Sequence, residues 1–335
     1  MSAQVAALAA ALAVSALVVA LLRRHAGQLP QDAANPRSLH QGAMPRGGGL
    51  AILAGTAVAV AIARPPLPGH AAAWLAALAA VAAISFADDV RGVHAVWRLA
   101  VQVAAGAIVA SQFAGGTVPV ALAALAIAWG ANLFNFMDGS DGLAAAMAIV
   151  GFSAYAIAGG AAGAPWGGYA ALAAATVPFL AVNRPPASMF MGDVGAVPLG
   201  FLAAALGIAG AASGTWPAWF PPLVFLPFVA DATVTLGVRL ARRERVWEAH
   251  RNHYYQRVNT LGAGHRGTLA IYAAAMLACA SLALVCVLLV PAAGPTALGM
   301  AIGAHLIGFG AIDYHERRTA RRGPPGSDDT PRSKR

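Results

Sequence analysis

Eleven apolar segments, at about residues 3–22, 48–63, 70–87, 98–113, 117–133, 142–160, 167–183, 194–212, 219–238, 268–290 and 293–312, leave only short polar gaps between them. A stretch of about 20 apolar residues crosses the roughly 30 Å of hydrocarbon in a bilayer. Inside that hydrocarbon every backbone N–H and C=O must be satisfied within the protein, which restricts spanning elements to helices or closed barrels. The runs have helix length, so the chain is expected to be an all-α, polytopic integral membrane protein with ten or eleven spans. Only 10% of its residues are charged and 59% are hydrophobic, against about a quarter charged in soluble domains. The longest gaps, about 24–47 and 239–267, are too short for a soluble domain, so residues 1–312 read as one transmembrane unit whose chemistry is built from loops. Ala- and Gly-rich segments imply closely packed helices.

The first segment has no basic residue before it and Arg23 and Arg24 straight after it, the reverse of a cleaved secretory signal. It is expected to stay in place with its N-terminus outside. Alternation of the eleven spans then puts every Lys and Arg except Arg64 at cytoplasmic loops, span ends or the tail, as the positive-inside rule requires. The same alternation gathers three acidic gaps on the cytoplasmic side. The net charge of +9 is spread over membrane-flanking positions, which fits attraction to anionic headgroups and argues against nucleic acid as a partner. Residues 313–335 read as a basic, disordered cytoplasmic tail. Cys279 and Cys286 lie seven apart on one helix, about 10 Å along its axis, too far apart to bridge, and read as packing residues.

The acidic gaps carry the chemistry. Asp88 and Asp89 end the third segment, and adjacent carboxylates either share a proton or gather around a cation. Asn132, Asn135, Asp138 and Asp141 recur every third residue, which places them on one face of a helical turn. Gly139 and Gly142 between them allow a ligand to approach the backbone. Gly192, Asp193 and Gly195 form a tight turn into the eighth segment, offering a carboxylate and backbone N–H groups to a metal-bound diphosphate. Each acid has a bland reading as a helix cap, but two asparagines and two aspartates in ten residues exceed what one cap needs. His250, Arg251, His253 and Arg257 concentrate phosphate-binding side chains in the last large gap. Arg37, His40 and Arg46, in a Pro- and Gly-rich early gap, are further anion-facing candidates. Asp231 lies inside the ninth segment, where an unpaired charge costs about 3 kcal/mol. It is expected to face the interior, as a structural hydrogen bonder or as the floor of a site.

Taken in order, Asn35 to His40, Pro45 to Gly49, Asp88-Asp89, Asn132 to Gly142, Met191 to Gly195 and His250 to Arg257 resemble the polyprenyl-phosphate N-acetylhexosamine-1-phosphate transferases over about residues 32–257. The resemblance implies a reaction in the bacterial inner membrane: a UDP-N-acetylhexosamine and undecaprenyl phosphate give the lipid diphosphosugar and UMP, with Mg2+ (Mn2+ as a substitute). It makes Asp193 the leading Mg2+ ligand. Asp88 becomes base, metal ligand or orienter of the lipid phosphate, supported by Asp89. Asn132, Asn135, Asp138 and Asp141 become the nucleotide and metal side, with Asp141 toward uracil, and His250, Arg251, His253 and Arg257 hold diphosphate and sugar. Arg91 is the candidate for the basic residue that follows the paired acids in the family. The last loop lacks the three clustered histidines of the muramoyl-pentapeptide transferases and looks more like the O-antigen branch, which uses GlcNAc or 6-deoxy sugars. Close-packing Ala/Gly helices would permit a homodimer.

Rival readings fit less well. A CDP-alcohol phosphotransferase needs two more acids within two turns of Asp141, and none occurs before Asp193. Intramembrane prenyltransferases would leave the His250–Arg257 loop idle. A cation- or proton-coupled transporter would carry ionisable groups at mid-membrane, where only Asp231 falls, and would often show internal repeats, of which none is evident.

Overall fold

The computed structural model describes residues 3–32, 43–64, 69–245 and 250–322. Helices dominate: α1 (Ala3–Arg24), α2 (Gly49–Ala63), α3 (Ala71–Arg91), α4 (Ala95–Ala110), α5 (Thr117–Met137), α6 (Leu143–Ala161), α7 (Gly167–Asn183) and α8 (Asp193–Ala212). They are followed by α9 (Phe220–Val224), α10 (Leu226–Ala241), α11 (Tyr254–Val258), α12 (Gly264–Leu289) and α13 (Gly294–Arg322). Strand pairing among the described residues is confined to β1 (Gln31–Asp32) against antiparallel β2 (Met44–Pro45) and a single bridge between Arg46 and Phe190. Seven helical stretches are long and apolar enough to cross a membrane, and α2, α4 and α7 are shorter apolar helices. The chain is an all-α polytopic membrane protein, with leucines and valines such as Leu17, Leu122 and Leu289 exposed on the outer helix faces.

Two segments depart from the sequence reading. The ninth is broken at Phe225 into α9 and α10. Pro221, Pro222 and Pro227 lie beside the break; none has an N–H to give to a helix ladder, so each is accommodated only where a helix begins. The last helix continues to Arg322, so residues 313–322 are helical rather than a tail. Its Asp313 and Glu316 both bind Arg257, at 2.5 and 2.7 Å, which anchors that extension.

Helix contacts use small residues. The Ser15 hydroxyl donates to the Ala175 carbonyl at 2.6 Å, joining α1 to α7. Gly130 of α5 meets Gly200 of α8 so closely that a Cβ on Gly200 would lie 2.2 Å from the Gly130 carbonyl oxygen. The glycine run before α2 docks on the turn before α8: Gly48 and Gly49 donate to the carbonyls of Phe190 and Met191 at 3.0 and 2.9 Å. A Cβ on Gly49 would lie 2.2 Å from the Gly195 Cα. This contact fixes the start of α8, where Asp193 stands. Gly49→Ala should destabilise the fold by about 1–3 kcal/mol, the usual cost of overpacking. Gly237→Ala, where no atom lies within 4 Å, should leave thermal unfolding in detergent unchanged, and equal midpoints for the two variants would refute the docking argument.

Candidate active site

The C-terminus of α3, the N-termini of α4 and α8, and the C-terminus of α5 meet at one end of the bundle. Gly92, with φ of 68°, ends α3 and turns the chain into α4. That turn brings Arg98 back over the acids. Its Nη1 donates to Asp88 Oδ2 and, at 3.1 Å, to Asp193 Oδ2. Asp193 Oδ2 also receives Asn135 Nδ2 at 3.3 Å, and Asp88 Oδ1 receives the Val93 N–H at 2.5 Å. Two carboxylates, one guanidinium and one amide from four elements thus share a single cluster.

Sequence adjacency does not make Asp88 and Asp89 equivalent. The Asp89 side chain is 1% exposed, against 15% for Asp88 and 19% for Asp193. Both Asp89 oxygens are taken by backbone, from the Asp193 and Val194 N–H groups at 3.0 and 2.9 Å. A carboxylate there caps α8 and complements the positive end of its dipole. Asp89 is therefore a positioning residue for Asp193 rather than a group that meets a ligand. Arg46 stands behind it, 3.8 Å from Asp89 and 2.9 Å from Asp32. Arg37 and His40 lie outside the described residues.

The asparagine and aspartate series is also divided. Asn132 Nδ2 donates to Gln102 Oε1 of α4 at 2.6 Å and to the Ala128 carbonyl at 2.8 Å, which ties α5 to α4 beneath the cluster. Asp138, just past α5, is half-buried. Its carboxyl is pushed well above the usual carboxylate range, first by burial and then by the nearby Asp193 charge. Asp141 holds a loop: its Oδ2 receives the Ala187 N–H at 2.9 Å and its Oδ1 lies 3.3 Å from His265 Nδ1. Asn183 adds to this clamp by accepting the Gly142 N–H at 3.0 Å.

Asp231 organises the last loop. It is fully buried and accepts from the N–H groups of Tyr254 and Tyr255, both at 2.9 Å, and from the Tyr272 hydroxyl at 2.5 Å. His253 Nδ1 and the Thr235 hydroxyl reach it at 3.2 Å. With Nδ1 committed to a carboxylate, His253 keeps Nε2 for another partner. Its ring stacks on Phe136 of α5 with centroids 5.8 Å apart, so the loop closes over the helix end that bears Asn135. Gly139 is needed there, since a Cβ would lie 2.1 Å from the Tyr255 hydroxyl oxygen, which donates to the Phe136 carbonyl. His250 packs against His253, and burial, with the His253 and Arg239 charges, lowers its pKa to about 4. The shift favours the neutral imidazole at this position.

Arg251 and Arg257 line a separate polar cavity of about 640 Å³ shared with α10 and α13. Arg257 is engaged by Asp313 and Glu316 and lies over the Tyr254 ring at 4.6 Å. These two arginines are thus not brought to the Asp88–Asp193 cluster. Arg91, the expected basic residue, is exposed, and Arg98 takes that place. Arg98 had a sequence signal: it is the single charged residue in α4, and a charge inside an apolar span marks a functional position.

No three His, Cys, Asp or Glu side chains among the described residues converge as a ready metal cage. Magnesium, however, is commonly held by one or two carboxylates completed by substrate phosphates and water. Asp88 and Asp193 are two hard-oxygen donors that already face one cation, so their chemistry fits that ion.

A family model described as "Glycosyl transferase family 4" matches residues 71–211, from the start of α3 into α8. The chain is 26% identical over 266 residues to a probable undecaprenyl-phosphate N-acetylglucosaminyl 1-phosphate transferase of Bacillus subtilis, covering 72% of this chain and 73% of that one. It is 32% identical over 238 residues to a phospho-N-acetylmuramoyl-pentapeptide-transferase of Symbiobacterium thermophilum, covering 60% and 71%. A protein of the same name from Chlamydia muridarum is 41% identical over 92 residues, and the chain spans only 27% of its length. With the family model matched across the helices that carry Asp88, Asp89, Arg98, Asn135 and Asp193, and a 32% identical relative covered over 71% of its length, the chain belongs to glycosyl transferase family 4, the polyprenyl-phosphate sugar-phosphate transferases.

Proposed function

We propose that the chain transfers an N-acetylhexosamine 1-phosphate from its UDP-sugar to undecaprenyl phosphate at the cytoplasmic face of a bacterial inner membrane, starting a cell-envelope polysaccharide such as O-antigen. The observation that carries this reading is the Arg98 bridge between Asp88 and Asp193, on two helix ends whose neighbours α5 and α8 also wall an apolar groove. That groove, of about 300 Å³, is lined by Trp129, Leu133 and Phe134 of α5, Gly200 and Gly207 of α8, and Pro221 and Phe225 at the broken ninth segment. Gly200 lies seven residues from Asp193, about 10 Å along α8. A polyprenyl tail in the groove would present its phosphate to the cluster.

In the reaction, an oxygen of the lipid phosphate attacks the sugar-linked phosphorus. The bond from that phosphorus to the oxygen shared with UMP breaks, and UMP leaves with the electron pair. The second pKa of a phosphate monoester is about 6, so the nucleophile is already largely deprotonated at neutral pH. Asp88, ion-paired to Arg98, then serves best to orient the acceptor rather than to take its proton. Arg98 offsets charge gathering on the transferred phosphoryl oxygens. Asp193, with Asp88, would hold Mg2+, which when bound supplies further charge neutralisation and a template for the two phosphates. Asn135 and Asp138 line the nucleotide side, and His253 closes over it.

His253→Ala should lower kcat/KM about tenfold to a hundredfold, because hydrogen bonds to charged groups are worth about 1.5–3 kcal/mol. Wild-type kinetics in that variant would remove His253 from the site. The reading as a whole is tested by UMP release from purified protein with undecaprenyl phosphate, Mg2+ and a panel of UDP-GlcNAc, UDP-QuiNAc, UDP-FucNAc and UDP-MurNAc-pentapeptide. Release that needs lipid, stops with EDTA and returns with Mg2+ or Mn2+ is the expected result, with GlcNAc or a 6-deoxy sugar as donor. The 32% identity to a pentapeptide transferase favours the last donor as the second reading. No release from any donor by folded protein would defeat both.

A further inference from the structure

A second polar cavity, of about 460 Å³, shares no lining residue with the apolar groove or with the Arg251–Arg257 cavity. It is lined by Arg23, Arg184, Arg266, Pro185, Pro186 and Ser188, and no acidic residue among the described residues contributes to it. The three arginines come from the end of α1, the residue after α7 and the start of α12, far apart in sequence and drawn together by the fold. Among the described residues none of the three forms an ion pair. Three like charges around one cavity repel, and an anion between them reverses the sign of that interaction. Guanidinium groups match phosphate oxygens in a planar, bidentate way. All three stand where apolar helices end, the depth at which a bilayer presents its headgroups.

The cavity wall is also the back of the loop that holds Asp141. Asn183, next to Arg184, accepts the Gly142 N–H and donates to the Met189 carbonyl, both at 3.0 Å. Ala187 donates to Asp141 at 2.9 Å. His265, next to Arg266, lies 3.3 Å from Asp141.

We propose that Arg23, Arg184 and Arg266 form a receptor for the headgroup phosphate of an anionic phospholipid, and that its occupation steadies the 183–188 loop against Asp141. The binding part stands on the cavity alone; the effect on turnover rests on the transferase reading. Native mass spectrometry of the full chain with phosphatidylglycerol should show R23Q/R184Q/R266Q retaining the lipid at least about tenfold more weakly than wild type, given the attraction that each arginine adds at an anionic surface. R91Q/R243Q/R318Q removes the same charge from exposed positions elsewhere and should retain the lipid as wild type does. Equal loss in both variants, or loss in neither, would overturn the receptor. Inorganic phosphate that protects against thermal unfolding as well as phosphatidylglycerol does would overturn a lipid as the source.

In vesicles, adding phosphatidylglycerol to phosphatidylcholine should raise UMP release by wild type about fivefold, a common size for coupling between sites, and should leave the cavity variant unstimulated. Equal stimulation of that variant would overturn the coupling. Retained lipid with no UMP release under any condition would overturn the transferase reading and leave the receptor standing.

Discussion

Asp193→Asn is expected to lower UMP release about a thousandfold, the upper range for removing one preorganised electrostatic group, while the protein unfolds at nearly the wild-type temperature. The separation follows from how the residue is held. Its backbone N–H, with that of Val194, is bound by Asp89, and the substitution leaves that cap in place. The side chain meets Arg98 and Asn135 at 3.1 and 3.3 Å, both at the open face of the cluster. Loss of a negative charge at the first turn of α8 costs about 0.3–1 kcal/mol, and relief of repulsion from Asp88 and Asp89 offsets part of it. Asp89→Asn supplies the contrast. It weakens the cap itself, so stability and turnover should fall together. Full turnover by Asp193→Asn would take the residue out of the metal and charge-balancing role.

Asp231→Ala should be the most destabilising single change at a polar residue. Removing this buried carboxylate strands the N–H groups of Tyr254 and Tyr255, the Tyr272 hydroxyl, the Thr235 hydroxyl and His253 Nδ1. Each buried donor left unsatisfied costs about 1–3 kcal/mol. Partial collapse and water entry reduce the sum, so an overall loss of about 3–5 kcal/mol is expected, the range for breaking a buried charged network. Cys279 and Cys286 are both buried and free, so a thiol-reactive dye reports the unfolding directly. Asp231→Asn keeps the shape but puts an amide N–H against donors. It should retain the fold at lower stability and lose turnover by displacing His253. A wild-type midpoint for Asp231→Ala would show that the five donors find other partners.

The parts of this protein that were legible in its sequence share a physical origin. Apolar runs of span length have few solutions in a bilayer, and the helices follow them closely, except where Pro221, Pro222 and Pro227 interrupt the ninth and where the last helix runs on to Arg322. Carboxylates and amides clustered between such runs are costly to keep without a purpose, which marks Asp88, Asn135 and Asp193 in the sequence. Asp231 is marked by the cost of a charge inside an apolar segment, although its role as an anchor rather than a floor depends on which donors surround it.

Other assignments depended on which helix ends meet. Asp88 and Asp89 are neighbours in the chain but lie 100° apart around a helix, so one meets Arg98 and the other meets the start of α8. Asp141 and Arg257 carry the same side-chain chemistry as their neighbours, yet Ala187 and His265 claim the first, and Asp313 and Glu316 the second. Periodicity and hydropathy are properties of a single segment, and they sufficed for the membrane-spanning helices, while the order of the loop motifs carried the family resemblance. The division of the polar residues into a reactive cluster, a helix cap, a loop clamp and an arginine cavity arises from segments more than a hundred residues apart, because a charged group is satisfied by whichever partner the packing brings within about 3 Å.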